Sequence, residues 1–65
     1  MNNNDRRRAA RHTRTAGHLA RIASSLREEA GTDDRVGELL LRAAALAEIA
    51  SLRMADAARE IEEGG

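Results

Sequence analysis

The chain has 65 residues with no cysteine, proline or aromatic side chain, and its eleven arginines balance eleven acids to a formal net charge of zero. That excludes disulfides and thiolate metal sites, removes base stacking on aromatic rings, and leaves little long-range steering toward polyanions. A chain this short buries only about 60% of its unfolded surface, so without a staple oligomerisation is the remaining route to a sufficient core.

Alanine, leucine, arginine and glutamate favour helices, few residues are β-branched, and no proline interrupts the chain, so the expected fold class is all-α. The basic start, Met1 to Arg8, is not followed by the apolar run of a secretory signal. No uncharged stretch reaches the roughly 18 residues of a membrane span. The expected compartment is the cytoplasm, with no membrane and no cofactor among the partners.

In chain order, residues 1–4 read as a short disordered arm, and Asn4 or Asp5 is placed to cap a first helix over 5–30. Gly31 then stands where a left-handed C-terminal cap belongs. A turn over 31–34 follows, in which Thr32 or Asp33 caps a second helix over 35–63, and residues 64–65 read as a frayed tail. So short a break between two long helices predicts an antiparallel two-helix hairpin.

Its seam is Ala-rich and coiled-coil-like. Ala9, Ala16, Ala23 and Ala30 recur every seven residues in the first helix, interleaved with His12, Leu19 and Leu26. In the second helix Val36, Leu40, Ala43, Ala47, Ala50, Met54, Ala57 and Ile61 alternate steps of four and three, the spacing of a coiled-coil stripe. Folding at the turn then sets Ala23 near Ala43, Ala16 near Ala50 and Ala9 near Ala57. Small residues on both sides predict a close helix approach. Charge favours the same orientation. Residues 1–30 carry seven arginines against three acids, and residues 31–65 four arginines against eight acids. An antiparallel hairpin lays the arginine-rich start beside Asp56, Glu60, Glu62 and Glu63.

An alanine seam leaves the larger apolar residues without cover. Leu39 and Leu46 flank it on one side, Leu41, Ala45 and Leu52 form a second stripe on roughly the opposite face, and Ile49 stands beside that stripe. Ile22 widens the apolar face of the first helix in the same way. A surface helix of a monomer has a polar back, whereas residues 39–55 are apolar on nearly every side. Leu39, Leu41, Leu46, Ile49, Leu52 and Ile22 are therefore the expected oligomer or partner interface, and a two-fold homodimer forming a four-helix bundle is the simplest closed solution. A solitary hairpin with scattered surface leucines and a hetero-oligomer with another helical protein are the alternatives.

Arg7, Arg11, Arg14, His18 and Arg21 share a face of the first helix turned away from the seam. Guanidinium groups at this spacing can track a phosphate backbone or receive an acidic helix, or they form an ordinary solvated face. Nothing combines a buried carboxylate, a nucleophile and an orienting base, so no enzyme is expected. His12 and His18 lie about 240° apart around one helix and share no metal ion. His12 reads as a half-buried spacer opposite Met54, and Ser24, Ser25 and Ser51 as small polar fillers. Gly17 and Gly37 are isolated helix positions, each costing about 1 kcal/mol relative to alanine, and mark a close backbone approach or a slight kink.

In size and architecture the chain is similar to the small RNA-binding hairpin dimers of the Rop type, a likeness of shape without a shared motif. Residues 14–22, Arg-Thr-Ala-Gly-His-Leu-Ala-Arg-Ile, resemble the start of copper-sensing repressor-like proteins, an all-helical DNA-binding family. The cysteine ligands and third helix of that family are missing. The expected function is a small self-associating module that binds another protein in a regulatory or scaffolding role. The alternative is a nucleic-acid-binding regulator that uses the arginine face.

Overall fold

A computed structural model describes residues 2–31 and 34–64. It contains two helices, α1 (Asn3–Ala30) and α2 (Asp34–Gly64), packed against each other along their length. At 1.5 Å per residue, the 31 residues of α2 span about 46 Å, close to the 49 Å long axis of the molecule. The hairpin is a rod two helices wide.

Helix α1 begins earlier than the sequence suggests. Asn2 is its cap: the side-chain oxygen accepts from the Asp5 amide at 2.8 Å, and the Asn2 carbonyl accepts the first helical bond, from the Arg6 amide at 3.1 Å. Asn3 and Asn4 are therefore helical and not part of a disordered arm. Three successive asparagines and Asp5 all qualify as caps, and using the first gains the most backbone hydrogen bonds. At the other end Gly64 belongs to α2 and not to a frayed tail. The caps expected from Thr32 and Asp33, like Met1 and Gly65, lie outside the described residues.

Gly31 ends α1 with φ 46° and ψ −129°. The positive φ agrees with the expected glycine cap, but ψ is far from left-handed helical values. Side chains rarely adopt this conformation, so glycine is required here by the backbone itself.

Two close contacts fix the register. The Ser51 hydroxyl donates to the Ala16 carbonyl at 2.7 Å, and a methyl group built on Gly37 would lie 2.7 Å from the Ala30 carbonyl oxygen. Both pairs have the same offset, which sets Ala23 opposite Ala44 and Ala9 opposite Ala58. These four alanines are buried, as are Ala16, Ala30 and Gly37. The pairing of Ala23, Ala16 and Ala9 with Ala43, Ala50 and Ala57 is thus corrected by one residue.

The seam of α2 changes accordingly. Its small column is Gly37, Ala44, Ser51 and Ala58, recurring every seven residues as the alanines of α1 do. Val36 is 53% exposed and Ala43 is exposed, so neither is a seam residue, while Ala50 and Ala57 are half-buried at its edge. Helix α2 carries small residues in two neighbouring columns. The column holding Gly37 and Ser51 lies at the contact because one residue lacks a side chain and the other hydrogen-bonds across.

A second, larger column completes the seam: His12, Leu19 and Leu26 on α1, and Leu40, Ala47, Met54 and Ile61 on α2, all half-buried. In an antiparallel pair like columns fall on the same side of the plane through both helix axes. The alanine column therefore lies toward one broad side of the rod and the larger column toward the other.

Candidate interaction surfaces

The interior of the hairpin is built from alanine. Ala9, Ala16, Ala23, Ala30, Ala44 and Ala58 make up its buried hydrophobic core, and no large side chain is fully buried among the described residues. Seven large apolar residues are instead exposed to between 38% and 69%. They include all six expected interface residues, Ile22, Leu39, Leu41, Leu46, Ile49 and Leu52, together with Val36.

Helical phase sorts these residues. Leu39, Leu46 and Val36 lie on the side of the larger column, next to half-buried Leu40, and Ile22 lies beside Leu19 and Leu26 on the same side. Leu41 and Leu52 lie on the opposite side, next to the alanine column, with exposed Ala45 between them. Ile49 occupies the back of α2 between the two groups. The Arg27–Glu48 ion pair joins the helices on the Leu41 side, which confirms that α1 and α2 turn matching flanks to each side. The expected interface residues thus fall on two apolar faces, in the division expected from the sequence, with Leu39 and Leu46 on one side and Leu41 and Leu52 on the other.

The basic face is also distributed by phase. Arg7, Arg14 and Arg21 form its outer row, and Arg11 and His18 lie between that row and the larger column; all five are exposed. None of the four arginines makes an ion pair among the described residues. The Arg21 guanidinium lies near Gly17, 3.8 Å from where a methyl on that glycine would sit.

Charge complementarity at the open end is one of proximity and not of contact. Arg8 pairs with Asp5 on its own helix at 3.6 Å, and Arg59 pairs with Asp56 on its own helix. Near the turn Arg42 pairs with Glu38 at 3.0 Å. Arg27–Glu48 is the one bridge between the helices among the described residues. Exposed pairs contribute roughly 0.2–1 kcal/mol each, so charge adds little to the stability of this hairpin.

Sequence reasoning missed two residues of the seam. Ser51, which reads only as a small polar filler, and Gly37, which reads as a close backbone approach or a kink but not as part of the seam, sit at the tightest points of the interface. The signal was the seven-residue spacing Gly37, Ala44, Ser51, Ala58, which repeats the period of Ala9 to Ala30. Among the described residues no helix is long and apolar enough to cross a membrane. In comparisons with known proteins the chain matches no family model, no curated protein and no solved structure.

Proposed function

We propose that this hairpin is a non-enzymatic, self-associating helical module. Two copies complete a homodimeric four-helix bundle, and the assembly binds another protein in a regulatory or scaffolding role. The observation that carries this reading is the contrast between a core whose buried hydrophobic residues are all alanine and seven exposed large apolar residues. Fully burying one such side chain is worth about 1.5–3 kcal/mol. These seven are between 38% and 69% exposed, so covering what remains of them is worth on the order of 5–10 kcal/mol, comparable to the whole stability of a small domain.

Surface area supports the same conclusion. The chain exposes 4998 Å², whereas a compact monomer of 7.1 kDa is expected to expose about 4,100 Å². The excess is comparable to the roughly 800 Å² that each partner contributes to a standard interface. Sedimentation equilibrium at two concentrations tests the reading. The expected mass is twice 7.1 kDa or more; a stably folded particle of 7.1 kDa at high concentration overturns it.

The second reading is a nucleic-acid-binding regulator, favoured by one observation. Arg7, Arg11, Arg14 and Arg21 are exposed and unpaired among the described residues. The balance of charge over the whole chain weighs against it.

A further inference from the structure

The two apolar faces are not equivalent, and the difference identifies both the docking face and the orientation of its occupant. On the side of the larger column both helices contribute. Leu19, Leu26 and Leu40 are half-buried there, and Ile22, Leu39 and Leu46 project beside them. On the opposite side the large apolar residues, Leu41 and Leu52, come from α2 alone. The α1 positions that flank them are small or polar: Ala10, Thr13, Gly17, Ala20 and Ser24. Only the first face is an apolar surface two helices wide, which is what one layer of a four-helix bundle requires.

That face is also segregated along its length. Its exposed large apolar residues lie in the half nearer the Gly31 turn. Toward the open end it carries four charges among the described residues, Arg8 and Arg11 on α1 and Arg53 and Glu60 on α2, against Glu29 alone near the turn. A second copy can lie on this face in either of two directions. With both turns at one end, a two-fold axis runs along the rod and α1 of each copy borders α2 of the other at the same level. Ile22 then meets Leu46 of the second copy, Arg8 falls within one residue of the level of its Glu60, and Arg11 lies between its Arg53 and Glu60. With turns at opposite ends, Leu39 and Leu46 lie level with the charged residues of the second copy instead. Desolvating arginine and glutamate against leucine without a partner is costly. The second direction imposes that cost at both Leu39 and Leu46, the first only where Glu29 lies near Leu39 of the second copy.

We infer that the face built on Leu19, Ile22, Leu26, Leu39, Leu40 and Leu46 docks a second copy of this chain, with the two Gly31 turns at the same end of the bundle. The inference rests on the self-association proposed above and adds its surface and direction. The excess exposed area matches one partner's share of a standard interface, so a single such contact accounts for it. The face bearing Leu41 and Leu52 stays on the outside of the dimer.

The chain has no native cysteine, so one introduced thiol is labelled uniquely. Asp34→Cys carrying a nitroxide places a single probe beside the turn of each copy, and pulsed dipolar spectroscopy reads the separation. Turns at one end give a separation set by the width of a bundle two helix diameters across, about 25 Å. Turns at opposite ends give a separation near the 49 Å length of the rod. Sedimentation of the same labelled sample separates the two ways of failing. A dimer with the long distance overturns the direction alone, whereas a 7.1 kDa particle without dipolar coupling overturns self-association itself. Leu46→Glu and Leu52→Glu test the face. Loss of the dimer, or of helix content, in the first variant and not in the second is expected. An intact dimer in Leu46→Glu, or its loss in Leu52→Glu, overturns the assignment.

Discussion

Gly37 of α2 rests directly on the main chain of α1: a methyl group at this position would lie 2.7 Å from the carbonyl oxygen of Ala30, which is backbone and cannot swing aside. Gly17 is also a mid-helix glycine, but a methyl there would meet only the Arg21 guanidinium, at 3.8 Å. The two positions should answer oppositely to one substitution. Gly17→Ala gains helix propensity in open space and should stabilise by up to about 1 kcal/mol. Gly37→Ala gains the same propensity but forces the helices apart, with a net loss of about 1–3 kcal/mol. Urea unfolding at one fixed protein concentration measures both, and equal stabilisation by the two variants would contradict the close approach at Gly37.

The Ser51 hydroxyl is a smaller contributor with a sharper size limit. Ser51→Ala removes the bond to the Ala16 carbonyl, which keeps its own helical partner, so the loss should be no more than about 1 kcal/mol. Ser51→Leu places a bulky side chain in a column otherwise filled by alanine and glycine, and should cost about 1–3 kcal/mol or more. Midpoints of urea unfolding rank the three proteins, with wild type above Ser51→Ala and Ser51→Leu far below.

The Arg27–Glu48 bridge should matter little. Its side chains are 45% and 55% exposed. A double-mutant cycle with Arg27→Ala and Glu48→Ala is expected to give a coupling energy of about 0.2–1 kcal/mol that fades in 1 M salt. A larger, salt-insensitive coupling would show that this flank is shielded from water in the assembled state.

For the nucleic-acid reading, fluorescence anisotropy with a short duplex at several salt concentrations is the discriminating measurement. If the arginine face tracks phosphates, affinity falls steeply with salt. The double variant Arg11→Ala/Arg14→Ala then lowers the slope by about 0.9 for each phosphate it no longer neutralises. Absence of binding at low salt, or a slope unchanged in the variant, removes that reading.

Much of this fold was legible in the residues, and where it was not the reason is specific. The alanine column of α1 has no rival on its helix, and the structure buries all four of its members. Helix α2 has two small columns side by side, one through Ala43, Ala50 and Ala57 and one through Ala44 and Ala58. Counting alanines favours the first, because the second is completed by Gly37 and Ser51. Closest approach, which depends on the absence of a Cβ and on one hydroxyl reaching a carbonyl, decides for the second. The start of α1 was ambiguous in another way. Asn2, Asn3, Asn4 and Asp5 have nearly equal capping preference, and only the extra backbone bonds gained by starting at Asn2 separate them. The exposed leucines and their division between two faces were evident from periodicity, but that Ile22 joins Leu39 and Leu46 on one of those faces required the true register.

Gly31 has a consequence that reaches past the turn it forms. The small column advances by seven residues from Ala9 to Ala30, and the next step of seven lands on Gly37, so the heptad phase crosses the turn without a break. A chain that continued as one straight helix would keep every residue of that column, from Ala9 to Ala58, on a single stripe. Two such straightened chains lying head to tail would recreate the pairings Ala16–Ser51 and Ala30–Gly37 between molecules in place of within one. The folded-back and exchanged forms share the same interior, and the backbone conformation that only glycine adopts easily is what separates them. Gly31→Ala should therefore shift the hairpin toward extended, helix-exchanged rods, visible as a near doubling of the longest dimension in small-angle scattering.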